Sequence, residues 1–163
     1  MLEFQPTVTI ADIINAILLV LALFGIFLTY KQIRHNDKTQ KAAFFKDLYS
    51  TIFTDADIRK AFYMIESGKF VYDESSHGSL NEQAFDRMFG FNDLVCDLYF
   101  QGVLTKREMA YFRYGFTRIY RDKEVAKYLE FLKSFFAETG IAAKPFTSYI
   151  AYCEEVLKLG RSA

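Results

Sequence analysis

The sequence predicts an all-α protein: one N-terminal transmembrane helix followed by a small cytoplasmic helical bundle. Three observations carry this. Residues Ile13 to Tyr30 read IINAILLVLALFGIFLTY without a charge. Two further segments open with the S/T-x-x-E spacing of a helix capping box, Ser79 with Glu82 and Thr105 with Glu108. Gly and Pro are sparse, and they stand where the apolar periodicity stops.

The chain has 163 residues, room for one domain plus a membrane element. Hydrophobic residues make up 52% of it, with 18 Phe, 11 Tyr and no Trp, enough to fill a core after the apolar segment is set aside. A formal net charge of +0 argues against a nucleic-acid binder that works through bulk electrostatics. Cys96 and Cys153 are the two cysteines, each on a predicted amphipathic helix and outside any CxxC spacing, so they read as reduced core residues. His35 and His77 lack a second ligand at helical spacing, so no metal and no other cofactor is expected.

At roughly 1.5 Å per residue the uncharged stretch covers about 27 Å, close to the roughly 30 Å of a bilayer core. A small domain could hardly surround such a helix, so a membrane span is the better reading than a buried core helix. A cleaved signal peptide fits worse, because Glu3 and Asp12 replace a basic n-region and no small-residue cleavage site follows before Lys31. Lys31, Arg34, Lys38 and Lys41 follow the span and no Lys or Arg precedes it, which puts the N-terminus outside and the rest in the cytoplasm. Ala11, Asn15, Leu18, Ala22, Gly25 and Thr29 recur at alternating four and three spacing. Their small side chains form a stripe along which spans could associate, with Asn15, Ala22, Gly25 and Thr29 the expected contacts of a homo-oligomer.

The expected organisation is an external tail and span over 1–30, a juxtamembrane helical connector over 31–53 and a cytoplasmic helical domain over 54–163. Past the polar stretch, Phe44, Phe45, Leu48, Tyr49 and Ile52 restore an apolar face to the first helix. A second helix is expected from Asp55 to Ser67, stopped by Gly68. KFVYDESSHGS reads as an irregular loop; its Ser, His and acids are ordinary turn chemistry, since adjacency in a loop is not the geometry of a catalytic triad. A third helix carries Phe85, Phe89, Asn92, Cys96 and Tyr99 on one face and ends before Gly102. Asn92 is odd there, because a buried amide is costly without partners, and a backbone carbonyl or a helix cap is expected to satisfy it. A fourth helix runs from Thr105 to about Arg121. A fifth, Asp122 to Thr139, turns Val125, Leu129, Leu132 and Phe136 inward, and a sixth runs from Pro145 to before Gly160.

The fourth helix, TKREMAYFRYGFTRIYR, is the candidate site. Met109, Phe112, Phe116 and Ile119 form a core stripe. Opposite them Arg107, Tyr111, Tyr114, Arg118 and Arg121 interleave cations with rings, without an acid on that face of the helix. Arginine forks hold phosphate oxygens and tyrosine rings stack on bases, so the face suits a phosphate-bearing ligand. It also suits anionic lipid, or a solvated face whose arginines pair with acids of neighbouring helices.

The layout, a span, then RHNDKTQKAAFFKDL continuing the helix, then FNDLVCDLYFQGVLTKREM in a small helical domain, resembles small bacterial bitopic membrane proteins with a cytoplasmic helical domain. It is also similar in size and architecture to the CRISPR-associated membrane effectors that respond to cyclic oligoadenylates. That resemblance implies a non-enzymatic, signal-gated effector of type III CRISPR antiviral defence in the bacterial inner membrane, with the bilayer and cyclic tetra-adenylate as partners. A symmetric ring with several phosphates suits a homo-oligomer offering one basic-aromatic face per subunit. The alternative is a membrane-tethered scaffold or accessory protein that docks a protein partner. An enzyme is not expected, since no nucleophile, metal cluster or phosphate loop is apparent.

Overall fold

The computed structural model describes residues 9–140 and 144–160. Among these every regular element is helical and there is no strand, as the sequence predicts. The chain divides into two compact units, Met1–Asp47 and Leu48–Ala163.

The first unit is the N-terminal part of α1, Ile10–Thr54, a single unbroken helix. Thr9 and Asp12 close its start: the Thr9 amide donates to Asp12 Oδ2 at 2.8 Å, and the Asp12 amide donates to Thr9 Oγ1 at 3.3 Å. No Gly or Pro follows Gly25 in α1, so nothing interrupts its hydrogen-bond ladder. The helix is long and apolar enough to cross a membrane, and none of its apolar window is buried.

The second unit is a helical cluster. It opens with the last two turns of α1, where Leu48 is buried and Tyr49 and Ile52 are half-buried. Asp55 then caps α2 (Ala56–Glu66), accepting from the amides of Asp57 and Ile58 at 3.0 and 3.1 Å. The helix ends at Gly68, whose φ of 67° is a left-handed value that favours glycine. Its apolar face, Ile58, Ala61 and Ile65, lies against α3 (Leu80–Phe100), where Ala84, Phe85, Met88, Phe89, Val95 and Cys96 are buried. KFVYDESSHGS is irregular apart from a short 3₁₀ turn, Glu74–Ser76, capped by Asp73. Ser79 caps α3, but Glu82 does not complete a box with it. Its carboxylate instead takes the Gly78 amide and His77 Nδ1, the latter at 2.9 Å.

The remaining helices are α4 (Lys106–Met109), α5 (Arg113–Tyr120), α6 (Lys123–Glu138) and α7 (Thr147–Ala151), the last continuing into a π-helical turn, Tyr152–Val156. The capping box of Thr105 and Glu108 is complete, with contacts of 2.7 and 3.3 Å. In α6 Val125, Leu129 and Leu132 point inward as expected; Tyr128 joins them, and Phe136 is only half-buried.

Two helices differ from expectation. The fourth is broken. The amides of Tyr111 and Phe112 donate to the carbonyls of Glu108 and Met109, at 3.2 and 3.1 Å, a three-residue step that joins α4 to α5. Met109 and Phe112, at this step, are both buried. The sixth helix starts later than Pro145 because Phe146 takes a left-handed φ of 53°, unfavourable for an aromatic residue, and its ring stacks on Phe89 with centroids 5.1 Å apart. The Tyr149 amide then donates to Asp93 Oδ1 at 2.9 Å, and α7 runs for little more than a turn. Cys96 and Cys153 are free and buried, and burial raises both thiols, Cys153 to about 12.

Candidate functional site

The five residues of the basic-aromatic face do not lie on one helix: Arg107 is on α4, Tyr111 in the turn that follows it, Tyr114 and Arg118 on α5, and Arg121 at the C-cap of α5. Arg107 and Arg121 are exposed, as are Tyr111 and Tyr114 at 58% and 65%. The Tyr111 ring meets Tyr49 edge-on at 5.7 Å.

Arg118 is employed inside the fold. Its Nη2 donates to the carbonyl oxygens of Ile65 and Glu66 at 3.1 and 3.4 Å, and its Nη1 lies 3.6 Å from Asp122. A helix leaves its last carbonyls without intrahelical donors, and α2 finds a guanidinium there. Tyr114 donates its hydroxyl to Glu66 Oε1 at 2.9 Å, and that hydrogen bond, followed by the carboxylate's charge, raises the phenol's pKa. The face of α5 carries no acid of its own; Glu66 and Asp122 come to it from outside the helix, the pairing with neighbouring helices that the sequence also allowed. The sequence of α5 alone could not reveal that the end of α2 brings Glu66 and two carbonyls onto it.

Beside this face lies a cavity of about 260 Å³, wholly within the second unit. Its buried lining comes from Ile58 on α2, Met88 and Asn92 on α3, Phe112, and Phe116 and Ile119 on α5. Tyr49 and Ile52, from the end of α1, complete its wall with Phe62. The exposed rim carries Phe53, Arg59, Tyr63, Tyr111 and Tyr114, with the half-buried Glu66 beside them. Gly115 also lines it: a Cβ there would lie 3.5 Å from the Phe62 ring, so any longer side chain would project into the space.

Asn92 is 5% exposed, and its Nδ2 has no hydrogen-bond partner among the described residues. The expectation that a carbonyl or cap would satisfy this amide fails for Nδ2, and the other buried side chains of the cavity are hydrocarbon, thioether or phenyl. Two signals in the sequence point to this place: an amide on an apolar helix face, and a glycine within FRYGFTR, which costs about 1 kcal/mol against alanine in a helix interior.

A second orphaned group, the Tyr72 hydroxyl, lines a smaller cavity of about 60 Å³, and burial pushes its pKa up to about 12. No group of three potential metal ligands occurs among the described residues. The four stripe residues Asn15, Ala22, Gly25 and Thr29 are exposed on α1, where Thr29 Oγ1 donates to the Gly25 carbonyl at 2.9 Å. No protein-family model, curated protein or solved structure matches the chain.

Proposed function

We propose that the protein is a non-enzymatic, signal-gated membrane effector whose helical domain receives a ligand and whose N-terminal helix carries the response. The observation that supports this most is the fully exposed apolar segment of α1, on a helix that runs unbroken into the second unit. Exposed hydrocarbon of that length is stable in lipid and costly in water. The bacterial inner membrane is the proposed location, with the N-terminus outside, because Lys31, Arg34, Lys38 and Lys41 follow the span. The test is alkaline extraction of membranes together with protease digestion of a C-terminal tag. A chain released by carbonate, or a tag digested in intact spheroplasts, would remove the reading.

In its antiviral form, the ligand is a cyclic oligoadenylate and the system is type III CRISPR defence. The exposed Arg107, Tyr111 and Arg121 support it, with the exposed ring of Tyr114; Arg118 and the Tyr114 hydroxyl, both held by α2, contribute less than their positions on the helix suggested. Calorimetric titration of the full chain in micelles with cyclic tri-, tetra- and hexa-adenylate tests this form. No heat with any ring would discard it. A scaffold docking a protein partner is the second reading, favoured by four large exposed rings, Phe53, Tyr63, Tyr111 and Tyr114, around one rim. Photo-crosslinking in cells from position 63 distinguishes it through one protein adduct that forms with or without the signal.

A further inference from the structure

We infer that the cavity around Asn92 is a binding site for a small, uncharged, ring-bearing molecule with one hydrogen-bond acceptor, a carbonyl or a ring nitrogen. This gives the membrane effector proposed above a signal other than a cyclic oligoadenylate; it rests on that reading for its consequence and not for the binding itself.

The ligand's chemistry follows from the lining. Asn92 Nδ2 is a buried donor without a partner, and a group left so is costly unless something accepts from it. The other buried side chains of the cavity, Ile58, Met88, Phe112, Phe116 and Ile119, are apolar and offer no acceptor. A ligand carrying an acceptor on an apolar body matches both parts of the lining at once. A charged body is disfavoured beside Asn92, because the charged groups of the lining, Arg59 and Glu66, are not among its buried residues.

Size narrows the class. A cavity of about 150 Å³ takes a benzene, so about 260 Å³ has room for a fused bicyclic skeleton. The aromatic walls Phe62, Phe112 and Phe116 favour a flat one, which they meet face or edge on. Tyr49 and Ile52 belong to the last turns of α1, so a bound molecule touches that helix directly. Occupancy then favours whichever packing of those turns gives the better-filled cavity, since a ligand shifts an equilibrium by its differential affinity.

The test uses 1-indanone and indane, which share a skeleton and differ by one carbonyl, titrated into the full chain in micelles with ¹³C-methyl methionine. Met88 lines the cavity, and Met109 is buried outside its lining, so the Met88 signal reports occupancy and Met109 controls for general effects. The expected result is a Met88 shift with 1-indanone binding about tenfold tighter than indane, the value of one hydrogen bond to an otherwise unsatisfied donor. Asn92→Leu abolishes the preference and melts no lower than wild type, and Gly115→Leu abolishes binding of both. Equal affinities in wild type, a preference that survives Asn92→Leu, or binding unchanged by Gly115→Leu would overturn the proposal. A blank titration of a chain that still resists carbonate overturns the cavity site and leaves the anchor. Selective binding by a chain that washes off the membrane upholds the site and removes the effector role.

Discussion

Replacing Arg118 with methionine separates a structural arginine from a ligand-binding one. The substitution keeps an unbranched stem of similar reach and removes the guanidinium. Two things are lost. The first is the pair of contacts to the last carbonyls of α2, at 3.1 and 3.4 Å. Hydrogen bonds from a charged donor contribute about 1.5–3 kcal/mol, and with the side chain 37% exposed and one contact long, the lower end, about 1.5 kcal/mol, applies. The second is the i, i+4 pair with Asp122 at 3.6 Å, roughly 0.3–0.5 kcal/mol. The sum, about 2 kcal/mol, lowers the melting temperature by roughly 8 °C, at about 4 °C per kcal/mol for a domain of this size. The chain has 11 Tyr and no Trp, so tyrosine fluorescence of the full chain in micelles follows the transition. Arg107→Met, at an exposed position on α4, is the control and stays within about 0.5 kcal/mol of wild type. If Arg118→Met melts with that control, the capping role is refuted, and the residue is available to a ligand as the sequence suggested.

Asp86, which accepts from the Tyr128 hydroxyl, is raised above its ordinary 3.8, chiefly by burial. Its charge therefore costs the folded state stability as pH rises past that value, and Asp86→Asn, which keeps the acceptor, is more stable than wild type at pH 7. Urea midpoints must show that advantage vanishing below about pH 3.8; an advantage that widened in acid would reverse the sign of the argument. Asp55 behaves oppositely: the Ile58 amide is the largest cause lowering it, so its contribution is present above 3.8 and fades as pH falls through the folded value. Asp55→Ala accordingly costs about 1 kcal/mol at neutral pH, by circular dichroism melting, and the gap to wild type narrows in acid. Gly102, with φ of 74° after α3, costs about 1 kcal/mol when replaced by alanine, read from the urea midpoint. In the span, Gly25→Ile is expected to weaken crosslinking between copies in membranes, and unchanged crosslinking would remove the small-residue stripe as a contact.

Helix boundaries were legible wherever the signal is local. Asp55, Ser79, Thr105 and Asp122 each cap the helix that their own amide neighbours begin, so sequence spacing suffices to place them. The broken fourth helix was not legible, because TKREMAYFRYGFTRIYR has helical periodicity throughout, and Met109 and Phe112 share a face whether or not the helix breaks. The late start of α7 was not legible either, since only the folded chain brings Phe89 to Phe146. Tyr128 replaced Phe136 as an inward residue of α6 because its hydroxyl finds Asp86, 42 residues away, and a buried phenol needs such a partner.

The candidate site divides in the same way. Composition and spacing marked Arg107, Tyr111, Tyr114, Arg118 and Arg121, and marked Asn92 as anomalous. What each does depends on groups far along the chain: Glu66 and the α2 carbonyls engage Tyr114 and Arg118, and apolar side chains from three helices leave Asn92 Nδ2 without an acceptor.

The sequence by itself determined the helical class, the apolar segment near the N-terminus and most helix ends, because each depends on residues within a few turns of one another. Only the tertiary structure decided which polar groups are spent inside the fold and which are left wanting a partner. That outcome depends on what burial brings beside each group, and burial is a property of the assembled helices.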